Sequence, residues 1–243
     1  MPRVSPARET RLRTRAEKLR ALRPGAPSRT AVSRASRLVD DGDSEVRTRA
    51  LEILRDQGGS ANARLAHEAL EDESDVVTAT AIECLVQWGV KRSADRVARL
   101  LESPSELTRS YAAWALGELG GPRHLPRLRQ RLRVVRREIE GSAVAESLYK
   151  LTGHRRYLTH LLEQLRSRDP EVRAFTSNSL VGVVDARTFP EILCVFAHAL
   201  ARERSAVVLR ALRRDIEIAL AIALDETAPR GNEASTARGG RRT

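Results

Sequence analysis

The sequence predicts an all-α protein, a right-handed α-solenoid of five to six helical hairpins. Three observations carry this. Phe, Trp and Tyr make up only 3% of the 243 residues against 41% hydrophobic overall. A core of Leu, Ala, Val and Ile packs well between helices and badly supports a sandwich or barrel. A segment also recurs along the chain at a period of 31 or 32 residues, and each copy carries one apolar stripe at helical spacing.

The copies are DSEVRTRALEILRDQG (Asp43 to Gly58), SDVVTATAIECLVQWG (Ser74 to Gly89), SELTRSYAAWALGELG (Ser105 to Gly120), REIEGSAVAESLYKLTG (Arg137 to Gly153) and DPEVRAFTSNSLVGVVD (Asp169 to Asp185). Aligned, they give a Val46, Val77, Thr108, Glu140, Val172 column. Two more follow four and eight residues on: Ala50, Ala81, Ala112, Val144, Thr176, and Leu54, Leu85, Leu116, Leu148, Leu180. That is one face of a helix. Asp43, Ser74, Ser105 and Asp169 stand where a side-chain oxygen caps a first turn, and Pro170 suits a first helical position. Gly58, Gly89 and Gly120 stand where a left-handed residue ends a helix. Second amphipathic stretches lie near 29–40, 62–71, 92–102, 124–135, 155–167 and 188–202, and a last helix is expected at 205–224. The organisation expected is a basic N-terminal helix or cap over 1–28, the solenoid over 29–224 and a disordered tail over 225–243. That tail has too few apolar residues to offset its ordering entropy.

The D/S-x-x-V-R-x-x-A-x-x-x-L-x-x-x-G pattern resembles the HEAT repeat, specifically the short bacterial kind of bilin-lyase-like proteins. The resemblance is good for the units beginning near 29, 60 and 91. It is partial at Arg137–Gly153, where Glu140 and Val144 replace the expected Val and Ala, and in the unit at Asp169, which lacks the closing glycine. It implies partner binding more often than chemistry. It also implies that Arg47, Arg109 and Arg173, which follow the first column, pair with acids of an adjacent turn to form a ladder between repeats. Thr78 and Gly141 interrupt that column.

A further column, six residues after the first, reads Glu52, Glu83, Trp114, Glu146, Asn178. Its offset points away from the apolar stripe, onto the surface that lines the concave side of a HEAT solenoid. Tyr111 and Trp114, flanked by Glu83, Glu118 and Glu146, read as a cradle for a cationic group or basic peptide. The plainer reading is a solvated row of glutamates, with Trp114 tipped sideways near Tyr149. The candidate binding residues are therefore Trp114, Tyr111, Glu83, Glu118, Glu146 and Asn178.

The formal net charge of +11 is unevenly spread. Residues 1–30 hold nine basic residues against two acidic, 40–75 hold eleven acidic against four arginines, and 123–137 hold seven arginines and no acid. The run comprising Arg123, Arg127, Arg131, Arg136 and Arg137 reads either as a solvated outer face with its arginine stems laid along the protein or as a dock for nucleic acid or an acidic partner, aided by the N-terminal helix.

No Gly-rich phosphate loop, G-x-S-x-G or H-E-x-x-H stands in the sequence, and no cofactor or metal is expected. Cys194 and His198, at i and i+4, lack a third ligand, and both cysteines read as buried thiols in a reducing cytoplasm. No apolar run approaches a membrane span, and the start lacks a secretory apolar stretch. The function expected is that of a non-catalytic scaffold or adaptor gripping a protein partner on the concave face. The alternatives are a DNA-binding HEAT-like alkylpurine DNA glycosylase, whose cleft sets aromatics around a catalytic aspartate, and another enzyme using the concave carboxylates.

Overall fold

A computed structural model describes residues 6–22, 29–57, 59–135 and 138–227. Gly58, Arg136, Arg137 and residues 228–243 of the expected tail lie outside the described residues. The described residues are helical, joined by turns, and include no strand. They fall into two compact units that divide between Gln164 and Leu165.

Unit 1 begins with α1 (Pro6–Ala21), followed by hairpins in which a shorter helix precedes a longer one. These are α2 (Arg29–Leu38) with α3 (Ser44–Gln57), α4 (Ala63–Glu68) with α5 (Asp75–Gln87), α6 (Ala94–Arg99) with α7 (Glu106–Leu119), and α8 (Leu125–Val134) with α9 (Glu138–Thr152). The unit closes with α10 (Arg155–Gln164), which packs on α9. The longer helices stack in order, α3 on α5, α5 on α7 and α7 on α9. The three sequence columns supply the buried seam: Val46, Ala50, Leu54, Val77, Ala81, Leu85, Ala112, Leu116, Val144 and Leu148 are all buried. Unit 2 comprises α11 (Pro170–Val181), α12 (Phe189–Arg202) and α13 (Ala206–Thr227), the last packing against both others. Helix α13 thus runs past the expected end at Leu224.

The helix ends follow the sequence in part. Asp43 Oδ1 accepts from the Glu45 and Val46 amides, Ser105 Oγ from Thr108 and Asp169 Oδ1 from Glu171. Ser74 makes no such bond; its own amide instead donates to Asp72 Oδ1 at 2.8 Å. Gly89 is left-handed at φ 61°, as expected, and the Val90 amide reaches back to the Leu85 carbonyl. Gly120 is extended, with φ −76° and ψ −169°, so left-handedness is not its reason. A Cβ there would stand 2.2 Å from the Leu116 carbonyl oxygen, and only glycine lets the chain leave α7 along that path.

The arginine ladder is present, and its geometry repeats. Arg47 Nη1 donates to the Asp41 carbonyl, Arg109 Nη1 to that of Ser103 and Arg173 Nη1 to that of Ser167, each six residues back. The same guanidinium groups reach forward to an acid: Arg47 to both oxygens of Asp72 at 2.8 and 2.7 Å, Arg109 to Glu140 at 3.0 Å, Arg173 to both oxygens of Glu203 at 2.7 and 2.9 Å. Thr78 keeps the first half alone, its hydroxyl lying 3.4 Å from the Asp72 carbonyl six residues back. Arg47 and Asp72 are almost fully buried, at 8% and 12% side-chain exposure. Helix α1 is fastened by the same means, through Lys18 to Asp41 at 2.5 Å and Arg15 to Asp43 at 2.9 Å.

Arg47→Ala is expected to lower unit 1 stability by about 3 kcal/mol in denaturant titration, because it strands the Asp72 carboxylate in a part-buried site. In unit 2 the paired bonds from Arg173, helped by the Ser205 and Arg204 amides and opposed by burial, hold the Glu203 carboxyl down to about 2. Its ordinary value is 4.5, so this stabilisation is complete above that pH and is lost as pH falls from 4.5 toward about 2. Acid titration of Glu203→Gln should show that part of the transition missing.

Candidate functional site

Helices α5, α7 and α9 carry the residues singled out as a binding surface. The approach of α7 to α9 is set by two small residues. A Cβ on Gly117 would lie 2.8 Å from Ser147 Oγ and 3.0 Å from Ser147 Cα, and the Ser147 hydroxyl donates to the Ala113 carbonyl at 2.6 Å. Trp114 therefore sits in a backbone segment pinned from the next repeat. Its ring meets Tyr111 edge to face, with centroids 6.2 Å apart and planes at 79°, a favoured aromatic geometry. Both rings are half-buried.

The carboxylates around this pair are already engaged. Glu83 is bonded by Arg55 of α3, which also holds Asp56 at 3.0 Å. The Tyr111 hydroxyl hydrogen-bonds Glu83, and burial together with that nearby carboxylate raises the tyrosine pKa. On the other side Lys150 of α9 spans Glu118 at 2.5 Å and Glu146 at 2.7 Å. Burial disfavours the Lys150 ammonium, yet the two carboxylates outweigh it and hold its pKa above the ordinary lysine value. Glu146 departs from a solvated row, being only 3% exposed. The six-residue offset is part-exposed and ion-paired at Glu52 and Glu83, whereas on α9 it is buried against Lys150. The surface is an aromatic pair between two charge clusters, in each of which one cation is shared by two carboxylates, rather than an open ring of acids. Asn178 is exposed on α11 and belongs to unit 2.

The arginine run is similarly divided. Arg123 pairs with Asp95 at 3.0 Å, and Arg127 is exposed with no ion pair among the described residues. Arg131 turns in to Glu140, joining Arg109 on a carboxylate that is 2% exposed. Glu140, which reads in the sequence as a lapse in an apolar column, is thus the acid of a ladder rung. No single spacing marks such an acid, since the three rungs span 25, 31 and 30 residues. Arg55 and Lys150 are the other functional neighbours that the column reading passes over. Cys84 is buried as expected, its thiol donating to the Leu51 carbonyl. Cys194 is exposed, correcting its reading as a buried thiol: it lies on the solvent side of α12, whose core face is carried by Ile192 and Phe196. No three metal-binding side chains come together, and no helix is long and apolar enough to cross a membrane, among the described residues.

Consecutive helical hairpins with stacked second helices, tied by arginine rungs, define a helical-repeat protein. The HEAT repeats family model matches residues 62–149, so this part of the chain, from α4 to near the end of α9, is built of HEAT repeats. Similar solved structures include the complex of CpcE and CpcF of phycocyanin lyase from Nostoc sp. PCC7120, at 18% identity over 80% of this chain and 97% of that one with a TM-score of 0.48. An archaeal HEAT-like repeats protein from Thermococcus onnurineus NA1 has 16% identity over 91% and 99% of the two chains, TM-score 0.41. Human deoxyhypusine hydroxylase in complex with glycerol has 16% identity over 90% and 93%, TM-score 0.37. These likenesses say nothing of activity, partner or site. No curated protein matches the chain.

Lys150→Met is expected to cost about 2–4 kcal/mol of stability near neutral pH, because Glu146 loses its ammonium partner in a buried position. Denaturant titrations of variant and wild type at neutral pH measure it.

Proposed function

We propose that this protein is a non-catalytic scaffold or adaptor that grips a protein partner with the exposed surface of α5, α7 and α9, anchored on Trp114 and Tyr111. The observation that carries this reading is the half-buried aromatic pair itself. The chain has two Trp, three Tyr and three Phe, and two of these eight stand together on a helix face. Part-buried aromatics within a charged rim suit an interface anchor. The flanking acids support partner binding more than chemistry. Glu83 is committed to Arg55 and Tyr111, and Glu118 and Glu146 to Lys150. A general acid or base would need a carboxylate free to exchange a proton with a substrate. Each cluster sets one cation against two carboxylates, so the rim keeps a net negative charge, and the partner is recognised through apolar and aromatic side chains set beside basic ones. A HEAT array suits this role by presenting a row of stacked helices as one extended surface.

A photo-crosslinking side chain placed at Trp114 in the native host should trap one protein reproducibly, while the same group at Arg127 should not. With that protein purified, Trp114→Ala should weaken binding by about 2 kcal/mol or more while keeping its melting temperature near that of the wild type. A sharp loss of melting temperature with unchanged affinity per folded molecule would make Trp114 a packing residue and overturn the reading. Tight duplex-DNA binding with a steep salt dependence would replace it with a nucleic-acid role.

A further inference from the structure

Unit 2 carries a groove of about 630 Å³ lined by residues of the turn after α10, of α11, of α12 and of the loop that follows it. We propose that this groove is an anion-binding site for a small ligand bearing two or more phosphate or carboxylate groups. The inference is independent of the aromatic surface on unit 1 and shares no residue with it.

Four arginines line the groove, Arg166, Arg173, Arg202 and Arg204, against a single acid, Glu203. That acid is already occupied: both its oxygens bond Arg173, and it also accepts from the Arg204 and Ser205 amides. The Arg173–Glu203 pair therefore forms a neutral, largely buried element of the wall. Arg166, Arg202 and Arg204 are exposed and have no ion-pair partner among the described residues. Their side chains surround one concavity that also contains the apolar Leu165 and Val195. Guanidinium groups gathered about a low-dielectric surface repel one another, and a bound polyanion relieves that repulsion while accepting paired hydrogen bonds from each planar fork. The volume lies within the range of small-molecule sites. Elsewhere the arginines that line the repeat junctions, Arg47, Arg109 and Arg131, have acids within reach. Here three lack one.

Cys194 supplies a reporter already in place. Its thiol is exposed and lines the groove. The other cysteine, Cys84, is fully buried, and its thiol is pushed up to about 12 by burial. In thiol–disulfide exchange the Cys194 thiolate attacks one sulfur of an aromatic disulfide, forming the mixed disulfide and releasing one aromatic thiolate. An anionic reagent is attracted by the arginines and a neutral one is not. The test compares the dianionic dithiobis-nitrobenzoate with the neutral dithiodipyridine on the full chain. The ratio of anionic to neutral rate constants should fall about tenfold in the variant Arg166→Gln/Arg202→Gln/Arg204→Gln. If that variant does not fold, Arg202→Glu alone should lower the ratio in the same direction. Inorganic pyrophosphate or citrate should slow the neutral reagent on the wild type. Protection by pyrophosphate alone assigns a phosphate ligand and by citrate alone a carboxylate ligand. An unchanged ratio in the variants, or no protection by either anion, overturns the proposal.

Discussion

A guanidinium that faces two ways is the interaction on which this architecture depends. At Arg47, Arg109 and Arg173 one nitrogen closes the turn that precedes its own helix, by binding the carbonyl six residues back, while others bind an acid farther along the chain. Apolar stripes bring hairpins together, but alanine- and leucine-rich helices slide and rotate on one another at small cost. A bidentate ion pair at the edge of the seam is directional and fixes the register. Because the pairs are part-buried, losing one partner costs far more than the net contribution of the intact pair. The rungs therefore define the arrangement more than they add stability.

The same constraint shapes the surface of α5, α7 and α9. In an array whose repeats approach closely, a charged side chain at the rim lies within reach of the neighbouring helix, and it settles there. Arg55 crosses from α3 to Glu83, and Lys150 crosses from α9 to Glu118. Between these clusters Tyr111 and Trp114 remain half covered, held in place by a backbone that Ser147 and Gly117 draw against α9. The binding surface is thus a by-product of register: the spacing that aligns the rungs also decides which side chains are left over for a partner.

The ladder of Arg47, Arg109 and Arg173 was legible in the sequence only through the resemblance to HEAT repeats, whereas the hairpin period and the buried columns were legible because each rests on helical periodicity repeated in five copies. Glu140 was hidden for the opposite reason. It occupies a column whose other members are Val46, Val77, Thr108 and Val172, and only the distance to Arg109 and Arg131 in space makes a buried carboxylate tolerable there. Glu146 was misjudged likewise, since an offset that is part-exposed in one repeat is buried against Lys150 in another. Ser74 shows the limit of cap reading, as the oxygen that serves the turn belongs to Asp72. The candidate site was legible as a set of positions, whereas the pairing of its charges depends on neighbours about one period away.

Thr78 interrupts the ladder in unit 1. It retains the contact that closes its own turn, but it is too short to reach an acid farther along. What joins the α5 hairpin to the next is the packed seam, a hydroxyl contact from Thr108 to Asp75 at 3.4 Å, the Tyr111 hydroxyl on Glu83 and an exposed Arg96–Glu71 pair at 3.2 Å, with no arginine at the ladder position. Arrays of stacked repeats behave as springs in series, and a spring chain yields first at its softest link. Among the stacked helices of unit 1, the junction between α5 and α7 is held by an exposed ion pair and hydroxyl contacts in place of a ladder rung, and exposed pairs contribute little, so it is the link expected to give first under tension. Tyr111 of the aromatic pair reaches across that same junction to Glu83 of α5.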